Sequence, residues 1–432
     1  MVSYKMQRKL FYVYTVYYYM ELVLKLKKSP AKMKKIQERN LQKLMKCAYE
    51  IPFYRERFEK AGVKPEDIKT PEDLKKLPVL TKEEYRAWMI EEEAKEENRE
   101  CMKSKTSGST GTPTPLLFSP REYAQDIAHA LRTWNFCGYN FITKKTMTRM
   151  QGSSEQVGYK TIIQKFGIIR REMIDQNQPE QDVIEKINAY KPDLLQMCLP
   201  EFIRLAVYAK KHGISIHHPS HVYSLGEVID ENAEKIILEA YGDGLMSNYG
   251  CAEMGEVSTR RPGARSYYIH QDMYVANVYN KNGEIVLNSP GDIYLTSLYR
   301  DKFPLINYDV GDIGVKEVVD GREYFTEIRG RKNDCFYFDD GSTLTYFAID
   351  GVVVSFANRV MQMKFVQKDY ENILLYVVKD PTNKESKEQL EVEITVAMKK
   401  VCPEKVKYSF EWLDVIEPEK SGKIRMMVSE IQ

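Results

Sequence analysis

Residues 106–114 read Thr-Ser-Gly-Ser-Thr-Gly-Thr-Pro-Thr, a run of small hydroxyl residues around two glycines. Glycine lets the backbone approach a ligand closely, and amide and hydroxyl groups can surround an anion without a bulky side chain between them. The run is not a Walker loop, because no GxxxxGK(S/T) occurs. By itself such a run is more typical of a flexible linker. Pro113 and Pro115 stiffen its exit, and Leu116-Leu117-Phe118 is typical of a strand, so we favour a phosphate cradle.

The bulk composition around this run is that of an ordinary globular protein. The 432 residues predict two or three domains. Hydrophobic residues make up 43% of the chain and charged residues 29%, which argues against a disordered or membrane-spanning protein. A net charge of +2 gives no indication of a nucleic-acid partner. Seven dispersed cysteines without a CxxC pair argue against a disulfide framework and favour the cytoplasm.

The N-terminal segment departs from this average. Residues 1–50 contain twelve Lys or Arg against three Glu, a net charge of +9, and these flank a tyrosine-rich run from Leu10 to Met20. The run lacks a small-residue cleavage site and Glu21 follows it, so we expect no signal peptide. It is shorter than the ~20 apolar residues that a spanning helix needs. Two interpretations stay open: a helix packed on the main domain, or a helix lying in a membrane interface.

Periodicity along the chain predicts a large α/β domain followed by a small α+β domain. Apolar residues recur at helical spacing from Met33 to Phe53. From Lys105 to Gly330, glycine-rich turns, strand-like runs and helices alternate, which predicts mixed sheets and helices. We place an N-terminal domain at 1–332, with a basic helix over 1–32, and a C-terminal domain at 333–432. Among the runs on which this rests, the predicted strands are 221–225, 284–287, 362–366 and 373–378, and the predicted helix is 387–401.

Two acidic turns follow the phosphate-cradle candidate. Asn248-Tyr249-Gly250-Cys251-Ala252-Glu253 places an aromatic ring and a carboxylate four residues apart across a glycine. A carboxylate is a hard oxygen ligand suited to Mg²⁺, and an aromatic face can stack on a purine. Residues 307–312 read Asn-Tyr-Asp-Val-Gly-Asp, and their two acidic side chains could accept both hydroxyls of a ribose. Taken singly, each stretch is as typical of an ordinary turn.

A lysine near the C-terminus completes the candidates. Ser421-Gly422-Lys423-Ile424-Arg425 places it directly after a glycine. An ammonium group could neutralise the charge that develops as a carboxylate attacks the α-phosphate of ATP. Viewed alone, a lysine at this place is almost always simply solvated.

The order of these weak signals resembles the adenylate-forming superfamily, which contains acyl-CoA synthetases and the adenylation domains of peptide synthetases. Within it the chain looks most like the phenylacetate-CoA ligase branch, as indicated by its short length, the segment Ile51 to Phe58, and Thr114 where most members have lysine. The segment Met361 to Gln367 resembles branch members found in capsule and exopolysaccharide gene neighbourhoods. The ordered motifs are the hydroxyl and glycine run, Leu225-Gly226-Glu227, YGxxE at 249–253, YDxGD at 308–312, GRxxD at 330–334 and SGKxR at 421–425.

The resemblance implies roles for individual residues of this chain. Glu253 would bind Mg²⁺, Thr110 would lie near the metal, and Lys423 would serve formation of the adenylate. The small C-terminal domain would be mobile and would turn about a hinge at Asn333 or Asp334. The ATP phosphates would be held by Thr106, Ser107, Gly108, Ser109, Thr110 and Gly111. Adenine and ribose would be bound by Gly226, Glu227, Asn248, Tyr249, Gly250, Asp312 and Arg331. The pocket for the acid would include Trp134, Leu199 and Pro200.

The implied reaction is activation of a small carboxylic acid with ATP to an acyl adenylate, followed by transfer to a thiol, first of all coenzyme A. Two alternatives stay open: transfer to carrier-protein phosphopantetheine or to a cell-envelope polysaccharide, and an inactive scaffold at a membrane surface. The implied cofactors are ATP, Mg²⁺ and coenzyme A or phosphopantetheine. Zinc is not expected, because only Cys251 and His270 could ligate it between the two acidic motifs. We interpret His217, His218 and His221 as loop residues before a strand. A homodimer and a membrane-associated fraction are left open.

Overall fold

The computed structural model divides into two compact units, one formed by Met1–Tyr139 and Asn248–Ile328, the other by Asn140–Ser247 and Arg329–Gln432. The residues that the structure describes are 10–106, 114–142, 144–150, 170–175, 178–225, 229, 231–331, 335–340, 342, 343–345, 349, 352–353, 355–356, 359–417 and 425–431.

Helices and strands alternate along the described chain as the sequence predicts. The helices are α1 (Phe11–Leu26), α2 (Pro30–Tyr49), α3 (Pro52–Ala61), α4 (Lys82–Ala94), α5 (Pro120–Phe136), α6 (Glu180–Tyr190), α7 (Leu199–His212), α8 (Glu231–Tyr241) and α9 (Lys387–Met398), with 3-10 turns at Pro65–Asp67, Pro71–Lys76 and Glu96–Asn98. The strands are β1 (Met102–Lys105), β2 (Pro115–Phe118), β3 (Lys145–Met150), β4 (Arg170–Asp175), β5 (Leu194–Cys198), β6 (His221–Leu225), β7 (Leu245–Cys251), β8 (Gly255–Arg260), β9 (Tyr267–Ile269), β10 (Tyr274–Tyr279), β11 (Pro290–Ser297), β12 (Tyr308–Val319), β13 (Arg322–Arg331), β14 (Cys335–Tyr337), β15 (Thr343–Thr345), β16 (Val360–Gln367), β17 (Asn372–Lys379), β18 (Lys407–Trp412) and β19 (Met427–Ser429).

The first unit packs helices on a sheet in the order β10-β11-β12-β13-β9-β8, next to which the end of β7 lies. The pairs β10–β11, β11–β12 and β8–β9 are antiparallel. Local signals begin α5: Ser119 accepts a hydrogen bond from the amide of Glu122, whose carboxylate accepts one from the amide of Ser119, and Pro120 suits the first turn. The helices bury aromatic side chains between them and the sheet, as in the parallel stack of Phe53 on Trp88, with ring centroids 4.6 Å apart.

The second unit has a parallel sheet of β4, β3, β5, β6 and the start of β7. Helices α6, α7 and α8 connect its strands and bury their apolar faces, Val183, Ile184 and Ile187 on α6 for example. Parallel pairing requires such crossover connections. The same unit holds the four-stranded sheet β18-β17-β16-β19, against which α9 buries Leu390 and Ile394.

The predicted α/β class with a C-terminal α+β region is confirmed, whereas one predicted strand is wrong. Residues 284–287 form no strand; Ile285 makes only an isolated bridge to Tyr279. A turn closed by Asn280, whose side-chain oxygen accepts the amides of Asn282 and Glu284, lets the amide of Val286 donate to the carbonyl of Val278 at 2.8 Å. Pairing stops there, because Asn288 has φ of +57° and donates its amide to the carbonyl of Lys316 instead. The boundary predicted between 332 and 333 stays a prediction, because residues 332–334 lie outside the described residues.

No helix in the described part of the chain is both long enough and apolar enough to cross a membrane. The N-terminal run of tyrosines forms α1, which packs against α5 of the same unit. The interpretation of this segment as a helix packed on the main domain therefore holds for the side of α1 that faces α5.

Candidate active site

The two ends of the predicted phosphate cradle are joined to each other. Strands β1 and β2 form an antiparallel pair, with Lys105 opposite Pro115. Beyond the last pair, the amide of Thr106 donates to the carbonyl of Thr114 at 3.0 Å, and the amide of Thr114 donates to Oγ1 of Thr106 at 2.9 Å. Thr114 is fully buried. The hairpin thus holds the two flanking residues in register, and the cradle residues Ser107, Gly108, Ser109, Thr110 and Gly111 lie outside the described residues.

A buried arginine connects this hairpin to the turn that carries Glu253. The guanidinium of Arg300 donates to the carbonyl oxygen of Leu117 at 2.6 Å and to that of Glu253 at 2.5 Å. Its side chain is fully buried, and its charged carbon lies 4.3 Å from the ring centre of Phe118. Hydrogen bonds from a charged donor are stronger than neutral ones, and guanidinium geometry serves two acceptors at once. Arg300 therefore ties the strand that leaves the cradle to the backbone of the predicted metal ligand.

The two acidic motifs are bonded to each other through their tyrosines. The hydroxyl of Tyr249 donates to Oδ2 of Asp312 at 2.9 Å. In the opposite direction, the hydroxyl of Tyr308 donates to Oε1 of Glu253 at 3.2 Å. Tyr249, Tyr308 and Glu253 are buried. Each motif thus supplies the phenol that orients the carboxylate of the other, and we call these two hydrogen bonds the tyrosine–carboxylate cross-links.

A glycine allows the segment that carries Tyr249 and Glu253 to turn back on itself. At Gly250 a Cβ atom would lie 1.8 Å from the carbonyl oxygen of Gly255, so no other residue fits between β7 and β8 without moving the backbone. On the partner segment, Gly311 has φ of +79° and its amide donates to Oδ1 of Asp309 at 2.8 Å. The glycines of both motifs are therefore explained by the local backbone.

Behind the YGxxE turn lies a buried polar network. Asn248 donates to Oγ1 of Thr133 at 3.4 Å, and that hydroxyl lies 2.5 Å from Oε2 of Glu256. Nε2 of His129 lies 2.6 Å from the carbonyl of Glu256, and Nδ1 accepts from Arg132 at 2.8 Å, so His129 is the neutral tautomer protonated on Nε2. Burial, with the charge of Arg132, holds the pKa of His129 well below its usual value. The network gives the predicted nucleotide residue Asn248 a rigid polar support.

The network is anchored by a buried ion pair. Nη1 of Arg132 lies 2.6 Å from Oδ2 of Asp272, and both side chains are almost completely buried. Breaking one partner of such a pair leaves an uncompensated buried charge, which destabilises a protein by roughly 3–5 kcal/mol. Trp134, predicted in the acid pocket, follows Thr133 on α5, and its ring contacts Tyr139 edge to face at 5.9 Å. The C-terminal end of α5 is thus fixed next to Asn248.

The donor set suits a nucleotide-bound magnesium ion. Within the described part of the chain, no group of three or more His, Cys, Asp or Glu side chains could hold a metal by itself. Mg²⁺ bound together with a nucleotide needs only one or two protein carboxylates, and Glu253, oriented by Tyr308, would provide one. Burial raises the pKa of the Cys251 thiol, and Nε2 of His270 is engaged with Thr259 at 2.8 Å. That no zinc is needed stays an expectation.

The chain is similar in sequence to known proteins. A family model described as the CapK C-terminal domain matches residues 336–430. The phenylacetate-coenzyme A ligase of Thermus thermophilus is 25% identical over 309 residues, which cover 65% of this chain and 65% of that protein, just under two thirds of its length. Protein CapK of Staphylococcus aureus is 21% identical over 409 residues, 88% of this chain and 85% of that protein.

The fold is similar to that of solved CoA ligase structures. A 2-hydroxyisobutyryl-CoA ligase in the postadenylation state, in complex with R3-HIB-AMP, superposes with a TM-score of 0.77 at 19% identity, covering 93% of this chain and 90% of the other. This chain has the adenylate-forming fold. The predicted resemblance to the adenylate-forming superfamily and its phenylacetate-CoA ligase branch is confirmed. The two proteins named CoA ligases agree with the predicted class of AMP-forming acid–thiol ligases.

The other predicted site residues lie elsewhere in the chain, and the structure describes only some of them. Leu199 and Pro200 begin α7 of the second unit and are buried, whereas Trp134 belongs to the first unit. Arg331 ends β13, described by its backbone alone. Outside the described residues lie Gly226, Glu227, Asn333, Asp334 and Lys423.

The residues that sequence reasoning missed are those that hold the site together. Tyr308 lay inside a quoted motif without a role. Arg300, Thr133 and Asp272 belong to no motif, and their types and spacing carry no signal. All of them are recognisable only from burial and contacts.

Proposed function

We propose that this protein is an AMP-forming ligase that joins a carboxylic acid to a thiol in two steps. In the first, the acid carboxylate attacks the α-phosphorus of ATP, giving acyl-AMP and pyrophosphate. In the second, a thiol, with coenzyme A as the first candidate, displaces AMP and forms the thioester. The observation that supports this proposal most strongly is the pair of tyrosine–carboxylate cross-links, which hold Glu253 and Asp312 on one support. The named activities of the relatives point the same way.

Within this proposal the carboxylates have separate tasks. Glu253 would hold the Mg²⁺ of the nucleotide, which would supply charge neutralisation at the phosphates. Tyr249 borders the adenine, and Asp312 with Arg331 binds the ribose. The cradle that begins at Thr106 holds the phosphates. The chemistry then consists mainly of positioning and of stabilising charge, because an in-line displacement at phosphorus needs no covalent intermediate with the enzyme.

The test is exchange of labelled pyrophosphate into ATP with Mg²⁺ and a broad panel of carboxylic acids. We expect exchange with at least one acid and a loss of about 100-fold or more in Glu253→Gln, since a neutral amide is a much poorer magnesium ligand. Glu92→Gln is the matched control, because Glu92 is a buried carboxylate that bonds Trp88 and Asn98 in the same unit, apart from the proposed site. Folded wild-type protein without exchange on any acid, or full exchange by Glu253→Gln, would refute the proposal.

A second candidate keeps the first step and changes the acceptor. The match of residues 336–430 to the CapK C-terminal model, and the longer alignment with protein CapK, favour transfer to carrier-protein phosphopantetheine or to a cell-envelope polysaccharide. Product formation with coenzyme A alone supports the ligase of the first candidate. Product that appears only with a carrier protein or a polysaccharide supports the second. A protein that binds a membrane surface but never exchanges pyrophosphate into ATP would be the inactive scaffold.

A further inference from the structure

The most exposed side chains of the N-terminal helix are all apolar or aromatic, and the one carboxylate that borders them, Glu21, forms an ion pair with Lys25 at 2.7 Å. In a helix at the surface of a globular protein, the solvent-facing stripe is normally charged or polar. In α1 every side chain of the exposed class is Tyr, Val, Met or Leu, and each is between 59% and 78% exposed. These residues fall on one continuous arc of the helix, at spacings of one, three and four. We call the arc the α1 stripe; its members are Tyr12, Val13, Val16, Tyr17, Met20 and Leu24.

The opposite side of α1 is fixed to the body of the first unit. Tyr18 and Leu22 are buried, and the hydroxyl of Tyr18 accepts a hydrogen bond from Nη2 of Arg121 at 2.9 Å. The ring of Phe11 stacks on that of Tyr123, with centroids 5.7 Å apart. The helix is therefore held on α5 by its buried side, and the α1 stripe cannot turn inward without breaking these contacts.

The charge around the α1 stripe identifies its partner. Lys27 and Lys28 follow the helix directly and are exposed, and residues 1–50 carry twelve basic against three acidic side chains. The stripe itself contains no charge. An apolar strip flanked by lysines matches the surface of a bilayer with anionic headgroups. A second copy of this chain would instead bring two basic segments together.

We propose that the α1 stripe docks this protein on an anionic membrane surface. The sixteen residues of α1 span about 24 Å, enough to lie along the interface with Val13, Val16 and Met20 in the acyl boundary. Tyr12 and Tyr17 would sit at headgroup level, where tyrosine is enriched. This proposal is independent of the catalytic one, because it concerns a surface of the first unit that holds no proposed site residue.

The test is co-flotation of the full chain with vesicles of phosphatidylcholine, with and without about 30% phosphatidylglycerol. We expect binding to the anionic vesicles and at least tenfold weaker binding of Val16→Glu/Met20→Glu, because two apolar contacts are lost and two negative charges face anionic lipid. Lys27→Gln/Lys28→Gln should weaken binding about fivefold per lysine on anionic vesicles only, and high salt should do the same. The control is Val392→Glu/Val396→Glu, an exposed valine pair at the same spacing on α9, which should float like the wild type.

Each other outcome overturns the proposal. Val16→Glu/Met20→Glu that floats as well as the wild type removes the α1 stripe as the contact. Wild-type protein that is folded by circular dichroism but does not float removes the membrane as the partner, whether or not it exchanges pyrophosphate. A dimer in sedimentation velocity that dissociates in Val16→Glu/Met20→Glu, without flotation of the wild type, assigns the stripe to a second copy instead.

Discussion

Removal of the Tyr308 hydroxyl group should change the Mg²⁺ requirement of the reaction without changing its maximal rate. In Tyr308→Phe, Oε1 of Glu253 loses the donor that lies 3.2 Å away. A hydrogen bond to a charged group contributes roughly 1.5–3 kcal/mol, and this one is longer than the usual 2.7–2.8 Å between oxygens, so we take about 1.5 kcal/mol. If Glu253 binds Mg²⁺, loss of the group that orients it should raise the Mg²⁺ concentration for half-maximal exchange about tenfold, the lower end of the roughly 10–100-fold effect of residues that hold a metal ligand. The exchange rate at saturating Mg²⁺ should stay close to that of the wild type.

The measurement is the rate of pyrophosphate exchange against free Mg²⁺ at saturating ATP, together with urea unfolding. Tyr54→Phe is the matched control, because it removes a buried hydroxyl of the same unit that donates to the carbonyl of Pro304 at 2.7 Å. Both variants should lose about 1–1.5 kcal/mol of unfolding free energy, but only Tyr308→Phe should need more Mg²⁺. If the two variants respond to Mg²⁺ alike, Tyr308 does not position a metal ligand.

Three further changes test other parts of the structure. Burial raises the pKa of Asp126 to about 6, above the ~3.9 of an unfolded aspartate. The protonated Asp126 side chain therefore contributes to stability below about pH 4, and this contribution is lost as the pH rises through 6. Asp126→Asn should therefore raise the unfolding free energy at pH 8 by up to about 3 kcal/mol, with little gain at pH 4, in urea titrations. Gly250→Ala should abolish exchange or folding, because its Cβ would meet the carbonyl of Gly255, whereas Gly263→Ala, with nothing within 4 Å, should lose only about 1–2 kcal/mol from strain at positive φ; equal behaviour of the two would contradict the packing argument. Lys423→Ala should lower adenylate formation about 10²–10³-fold but leave thioester formation from supplied acyl-AMP intact, and an unchanged exchange rate would remove the role proposed for Lys423.

The N-terminal helix shows where a sequence pattern reaches its limit. The pattern from Leu10 to Met20 predicts a helix, and α1 confirms it. The sequence leaves two interpretations open, a helix packed on the main domain and a helix in a membrane interface, and treats them as alternatives. In the structure one side is buried against α5 and the other is exposed. Tyr17 and Tyr18 are adjacent and identical in type, yet only Tyr18 is buried. Nothing local distinguishes them, because the difference arises from the partner helix.

The strand predicted at 284–287 failed for a related reason. The run Glu284-Ile285-Val286-Leu287 has the composition of a strand, but a β-ladder also needs an aligned neighbour. The amide of Val286 still donates to the carbonyl of Val278, but the amide of Asn288 donates to Lys316, so a single bridge between Ile285 and Tyr279 is all that forms. Strands β16 and β17, predicted with the same type of evidence, have each other as antiparallel partners from Val360 to Lys379 and form as expected.

The candidate site divides in the same way between atoms that would touch the nucleotide and atoms that hold them. Glu253 and Asp312 could be predicted, because a phosphate-bound metal and a ribose require carboxylates within short glycine turns. Arg300 and Tyr308 could not, because any buried donor with the right reach could support those carboxylates. Their positions follow from how β2, β7 and β12 pack, and packing leaves no fixed spacing in a sequence. Substitutions of the supporting residues should therefore shift metal and nucleotide affinities first, whereas substitution of the carboxylate of Glu253 should lower the rate of the reaction itself by about 100-fold or more.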